Sequence, residues 1–229
     1  MSLFKSVADL LVVNSCFSCG RQCSEILCEQ CVSALLFIKR PFCSKCGYPT
    51  LVMVDSCRQC RPKRFKFTKG RSLLAYEGVA KEAIVRMKSE SAFALADFLV
   101  KKALSDFDDE FFEIEAVTFI PATFSKRLNR RHNVSEVIAR TIAHHKKIDC
   151  VDMLALSRRV KDQAALGSKD RQRNLDGAFR ITNRVNQSSG SILVVDDIFT
   201  TGATLNEGCK VLAGAKIETK VFTLARGVS

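Results

Sequence analysis

The sequence contains no apolar run of 18 residues or more, so no segment is expected to span a bilayer. Its first twenty residues, MSLFKSVADLLVVNSCFSCG, hold a short apolar stretch but no basic n-region and no small-residue cleavage site. They read as a short amphipathic helix and not as an export signal, which points to the cytoplasm. G-x4-G-K-[ST] and G-x-G-x-x-G are both missing, which excludes the Walker loop and the dinucleotide fingerprint. Histidine is scarce, three in 229 residues, and the adjacent His144 and His145 have no spaced third ligand, so they are assigned no metal.

Cysteine and positive charge, by contrast, are abundant. A net charge of +12 suits an anionic partner such as nucleic acid, a phosphorylated metabolite or an acidic membrane surface; it also serves plain solubility. Apolar residues make up 47% of the chain, enough for a sizeable core. Nine of the eleven cysteines precede residue 61, and this shift in composition marks a boundary between a head, 1–62, and the remainder, 63–229.

In the head, the cysteines fall into C-x2-C pairs: Cys16/Cys19, Cys28/Cys31, Cys43/Cys46 and Cys57/Cys60. Two residues between thiolates let one turn aim both sulfurs at a tetrahedral ion, and two such turns complete a site. Gly20 and Gly47 follow two of these turns. The segment has too few large apolar residues to offset its own ordering entropy, so a metal is needed. Two zinc ions are expected, one on Cys16, Cys19, Cys28 and Cys31, the other on Cys43, Cys46, Cys57 and Cys60; an interleaved pairing satisfies the same spacing. A disulfide framework needs an export signal. Cys23 is left over as a spare thiol or an alternative ligand, and Cys150 and Cys209 read as core residues. Closed four-thiolate sites have no open coordination position, so the head is a positioning or docking module.

The connector RPKRFKFTKGR, residues 61–71, alternates cations with Phe65 and Phe67. Two readings fit. Phosphates could run along the cations while single-stranded bases stack on the rings, or the rings could face inward from a strand. Beyond it, 72–78 reads as strand and turn, 79–104 as one or two helices, and 116–120 as a strand opening at Pro121. Residues 106–115 read as a solvated acidic helix end and connector. Val134, Val137, Ile138 and Ile142 lie at helical spacing. Residues 157–174, polar and poorly periodic, read as a loop.

The stretch ILVVDDIFTTGAT, 192–204, carries the chemistry. Ile192 to Val195 is aliphatic without alternation, as in a parallel strand buried on both faces. The strand is expected to end on Asp196 and Asp197. Leu205, Cys209 and Leu212 then mark the inner face of a helix, and KIETKVFTLAR a further strand. Ligands of such α/β units sit at the carboxyl ends of strands. Thr200, Thr201, Gly202, Ala203 and Thr204 form a small, hydroxyl-rich turn at a helix N-terminus, a phosphate cradle. Carboxylates one step before it can grip the vicinal hydroxyls of a ribose.

Residues 192–204 resemble the phosphoribosyl pyrophosphate (PRPP) signature of type I phosphoribosyltransferases. The four-knuckle head, AYEG (75–78), the strand ending at Pro121, QAALGSKDRQRNLDGAF (163–179) and VVDDIFTTGAT together resemble, in the same order, the ComF-type proteins implicated in natural transformation and DNA uptake. The resemblance implies an α/β fold with a type I phosphoribosyltransferase-like parallel sheet behind an N-terminal double zinc ribbon. It implies that Asp196 and Asp197 bind the ribose hydroxyls and 200–204 the 5-phosphate. Ile120, Pro121, Ala122 and Thr123 would form a pyrophosphate loop, with Lys126, Arg127 and Arg130 as cations for the leaving group or as a solvated basic face. Gln163, Leu166, Arg171 and Asn174 match the family pattern in a loop that would close over the site. Where the family often has R-G-F-N-Q, this chain has Arg130-Arg131-His132-Asn133-Val134, keeping only the first Arg and the Asn. The implied ligand is PRPP with Mg²⁺. The implied roles are phosphoribosyl transfer to an unknown acceptor, single-stranded DNA binding with a regulatory or structural pocket, or PRPP sensing, with other competence proteins as partners.

Overall fold

The computed structural model of the chain describes residues 15–88, 93–107, 109–122, 132–158, 175–182 and 190–228. The helix expected across the first twenty residues falls largely outside this range. In the head, only one short helix forms among the described residues, α1 (Glu29–Ser33); the rest is turns closed by backbone hydrogen bonds around the cysteines. There follow β1 (Gly70–Ala75), α2 (Gly78–Met87), α3 (Phe93–Asp106), a 3-10 turn (Asp109–Phe112) and β2 (Ala116–Phe119). The chain continues through α4 (Val134–Lys146), β3 (Asp149–Cys150), β4 (Leu154–Leu156), β5 (Phe179–Ile181), β6 (Ile192–Phe199), α5 (Ala203–Gly214) and β7 (Thr219–Arg226).

The principal sheet has the order β1-β7-β6-β2-β3, and every pairing in it is parallel. This is the parallel core expected from the unalternating run at 192. β4 and β5 form a separate antiparallel pair. Alternate side chains of β6 divide between two buried clusters: Leu193 and Val195 join α2, α3 and α4, while Ile192 and Val194 join α5. Each strand face thus has its own helical cover, as a parallel sheet requires.

The head is built into this arrangement. Phe37 pairs antiparallel with Leu74 of β1, Ile38 N–H donates to Leu73 O at 2.9 Å, and Ala75 N–H donates to Leu36 O at 2.8 Å. On one side of that crossing, Cys16, Cys28 and Cys31 pack with Leu73, Leu74 and Ile84; on the other, Cys43, Cys46, Cys57 and Cys60 pack with Phe65, Phe67 and Val221.

The structure departs from the sequence expectations in three places. β6 does not stop at the acids. It runs to Phe199, with Asp196 paired to Thr223 and Ile198 to Ala225 of β7, because β7 is as long as β6 and carries the ladder past the carboxylates. Phe65 and Phe67 are buried, ring centroids 4.8 Å apart and edge-on to Phe199, so neither offers a free face to a nucleic-acid base. The segment 106–115 is not simply solvated: Phe107 packs against the buried Phe111, Phe112 and Phe222 in an aromatic knot.

Candidate functional site

In a parallel sheet all carboxyl ends lie along one edge. Here that edge brings together the end of β6, the segment after β2 and the ends of β1 and β7. Asp196 accepts a hydrogen bond from Ser135 Oγ at 2.8 Å, and its Oδ1 also accepts from Asp197 N–H at 2.9 Å. Ser135 is buried in the first turn of α4. Asp197 Oδ2 lies 3.1 Å from Lys88 Nζ.

The turn after β6 closes tightly. Gly202 has φ +75° and precedes the first residue of α5. A Cβ there would lie 2.5 Å from the Phe199 ring and 2.9 Å from that of Phe65. Only glycine meets both the left-handed backbone and the contact. Thr201 Oγ1 accepts from Ala203 N–H at 3.3 Å, so a hydroxyl does turn inward on the helix start. The connector borders the turn: Lys63 Nζ donates to Thr201 O at 3.0 Å, and Lys66 N–H to Asn206 Oδ1 at 2.8 Å. Gly202→Val is expected to lower stability by about 1–3 kcal/mol through strain and overpacking. A thermal melt unchanged from the parent would show that Phe199 and Phe65 yield without cost.

Ile120 N–H continues the sheet by donating to Val195 O at 2.9 Å, which sets Pro121 and Ala122 beside β6. Asn133 Nδ2 donates to Ile120 O at 3.0 Å and fastens this segment to the start of α4. Thr123, Lys126, Arg127 and Arg130 lie outside the described residues, as do Gln163, Leu166, Arg171 and Asn174. A cleft of about 500 Å³ opens next to the same segment, between Pro121, Ala122 and Asn133 on one wall and Asp152, Leu154 and Arg180 on another.

The metal sites are compact. The thiolates of Cys16, Cys19, Cys28 and Cys31 lie within 4.8 Å of one another, and so do those of Cys43, Cys46, Cys57 and Cys60. The chain thus gathers consecutive knuckles rather than interleaved ones. Four sulfurs around zinc at about 2.3 Å stand about 3.8 Å apart at the corners of a tetrahedron. The observed Sγ separations are 3.8 Å for Cys43–Cys60, Cys46–Cys57 and Cys19–Cys28, and 3.6 Å for Cys57–Cys60. No disulfide has that length. Backbone N–H groups support the sulfurs, Cys28 N to Cys16 Sγ at 3.3 Å and Cys57 N to Cys43 Sγ at 3.2 Å. These are two four-thiolate sites suited to structural zinc.

Sequence reasoning missed the residue that ties the second site to the sheet. Arg226, fully buried at the end of β7, donates to Cys46 O and lies 3.6 Å from Cys46 Sγ. Its guanidinium stands over the rings of Tyr48 and Phe199 at 4.9 and 4.5 Å. In the metal-free chain a hydrogen bond with Cys60 holds the Cys46 thiol down at about 5; burial opposes this and Arg226 reinforces it. An arginine closing a predominantly apolar strand was the available signal. Cys150 and Cys209 differ: burial pushes their thiols up to about 11 and about 12. The thiolate is the nucleophile, so both are expected to resist iodoacetamide at pH 8 in the native protein. Peptide mapping that finds either alkylated before unfolding would contradict this.

Comparison with known proteins bears on the whole chain. Residues 7–61 match the double zinc ribbon domain. Competence protein ComFC of Streptococcus pneumoniae (strain ATCC BAA-255 / R6) is 28% identical over 235 residues, covering 99% of this chain and 96% of that protein. Competence protein F of Haemophilus influenzae (strain ATCC 51907 / DSM 11121 / KW20 / Rd) is 25% identical over 210 residues, 87% of this chain and 90% of that one. The chain is similar to the ComF competence proteins over most of its length. Its double zinc ribbon coincides with the two thiolate clusters. Among solved structures, adenine phosphoribosyltransferase aligns over 62% of this chain and 70% of that one, at 12% identity and a TM-score of 0.32, too loose a likeness to argue from. No helix among the described residues is long and apolar enough to cross a membrane.

Proposed function

We propose that this protein binds PRPP with Mg²⁺ at the carboxyl edge of its sheet and serves DNA uptake from the cytoplasm. The observation that carries the proposal is the juxtaposition, on one strand and the turn behind it, of Asp196, Asp197 and the left-handed Gly202 at the start of α5. A helix N-terminus supplies unpaired N–H groups and a favourable dipole for a phosphate. The acids, on the strand just before it, present oxygens for the hydroxyls of a pentose. Pro121 and Ala122, on the neighbouring strand end beside β6, would face the pyrophosphate. The names of the relatives supply the biological setting, competence.

The acids are hard oxygen donors of the type Mg²⁺ takes, usually through water, and the bound ion would neutralise charge shared between pyrophosphate and ribose oxygens. The chain's own contribution is orientation. Ser135 holds Asp196 in place, and the left-handed Gly202 lets the turn pack on Phe199 and Phe65 and so sets the start of α5 where the 5-phosphate would sit. In the enzymatic reading, the sugar loses pyrophosphate and passes to an acceptor that remains to be found. In the second reading, the pocket regulates a surface that grips single-stranded DNA. The exposed Arg61, Lys63, Arg64 and Lys66 keep that reading in play through charge alone, since the rings between them are buried.

Calorimetry with PRPP and Mg²⁺ tests the proposal. Loss of a hydrogen bond to a charged group predicts that Asp196→Ala and Asp197→Ala each bind about 10- to 100-fold more weakly. Parental affinity in both variants sinks it. Mass spectrometry of the same mixtures with cell extract then reports whether a phosphoribosylated product forms.

A further inference from the structure

Asp197 already has a partner. Lys88 Nζ lies 3.1 Å from its Oδ2, and the two side chains are only 20% and 19% exposed. Lys88 follows the last residue of α2, far from the signature in sequence. A cation at a helix C-terminus is favoured by the dipole, which accounts for the charge but not for its aim. The aim comes from two further bonds. The ring of His132 donates from Nε2 to Met87 O at 2.9 Å, a carbonyl that can only accept. Its neighbour Asn133 donates to Ile120 O. Residues 132 and 133 thus fasten the end of α2 to the segment holding Pro121 and Ala122, and from that end of α2 Lys88 reaches Asp197.

We infer that Lys88 is a ligand-binding residue that changes partner. In the empty pocket it neutralises Asp197. When PRPP enters, its ammonium turns to the pyrophosphate oxygens and releases Asp197 to the ribose hydroxyls. This rests on the PRPP reading and adds to it a specific cation, outside the signature, that discriminates PRPP from sugars lacking the pyrophosphate. The exchange is favoured because a pyrophosphate carries more negative charge than one carboxylate and so attracts the ammonium more strongly, while the ammonium, staying close to Asp197, still offsets the repulsion between the two anions.

The test is calorimetry of the whole chain with Mg²⁺ and either PRPP or ribose 5-phosphate, on the parent, Lys88→Met and Lys88→Gln. The proposal expects Lys88→Met to bind PRPP about tenfold more weakly or worse, the loss of one charge-assisted contact. Ribose 5-phosphate should keep its affinity or gain some, since Asp197 is no longer occupied. Lys88→Gln, which keeps a donor and loses the charge, should show the same selective loss, and it stands in if the Met variant does not fold. Equal weakening of both ligands would mean that Lys88 only props up Asp197 and would overturn the inference, as would unchanged PRPP binding. A parent that binds neither sugar phosphate defeats the underlying PRPP reading instead, so the two failures are told apart.

Discussion

Chelation is expected to release two zinc ions per chain in two phases and to unfold the head. The ion on Cys16, Cys19, Cys28 and Cys31 should leave first: Cys19 is exposed, whereas Cys43, Cys46, Cys57 and Cys60 are all buried. The effect is large because structural zinc contributes about 10–16 kcal/mol of apparent binding free energy in small zinc domains, which is folding free energy when no site exists in the unfolded chain. Among its described residues the head has only one short helix to fall back on. A chromogenic chelator followed over time, with hydrogen exchange read by mass spectrometry, gives both quantities. A stoichiometry other than two, or the buried site emptying first, would contradict the assignment. Acid should act in the same direction, since each thiolate must be protonated before it leaves the metal.

The second large effect is expected at Arg226. Four thiolates and a divalent ion carry a net negative charge, and the site at Cys43, Cys46, Cys57 and Cys60 is buried. Arg226 is the cation that answers it, through Cys46 O, Cys46 Sγ and the faces of Tyr48 and Phe199. Its Nε and Nη2 have no hydrogen-bond partner among the described residues, so ring contact and charge hold them. Arg226→Met fills the space and removes the charge. Breaking a buried pair by taking one partner costs about 3–5 kcal/mol, and in a chain of this size that lowers the melting midpoint by about 10 °C. Arg226→Lys restores charge but not the planar fork, and should fall between. Zinc retention by the Met variant equal to the parent's, with an unchanged melt, would show that the metal site needs no counter-charge.

Much of this was legible in the residues. C-x2-C spacing is a local property of a turn, so the eight ligands could be read from Cys16 to Cys60. Whether knuckles pair consecutively is a question of chain path, and spacing alone left it open. The aliphatic run at 192 announced a buried parallel strand, but its length depends on β7, whose ladder continues past Asp196 and Asp197. Phe65 and Phe67 illustrate the same limit. Their alternation with Lys and Arg suits an inward face and a stacking surface equally, and only the presence of Phe199 across from them decides it. Lys88, Ser135 and Arg226 were invisible because their roles arise from contacts with residues far away in sequence, Asp197, Asp196 and Cys46. The boundary drawn at residue 62 rests on composition. We propose that it separates two chemistries rather than two folding units, since cysteines before it and phenylalanines beyond it lie in one buried cluster.

The pairing of 36–38 with β1 has a bearing on how the protein behaves in concentrated solution. β1 is an outermost strand, and at its carboxyl end the outward Leu73 carbonyl and Ala75 amide are taken up by that short piece of the head. An uncovered row of this kind is a template for another chain. Stripped of its metal, the molecule would shed this cover and present an adhesive flank, so demetallated preparations should grow into oligomers through strand addition while zinc-replete ones stay dispersed.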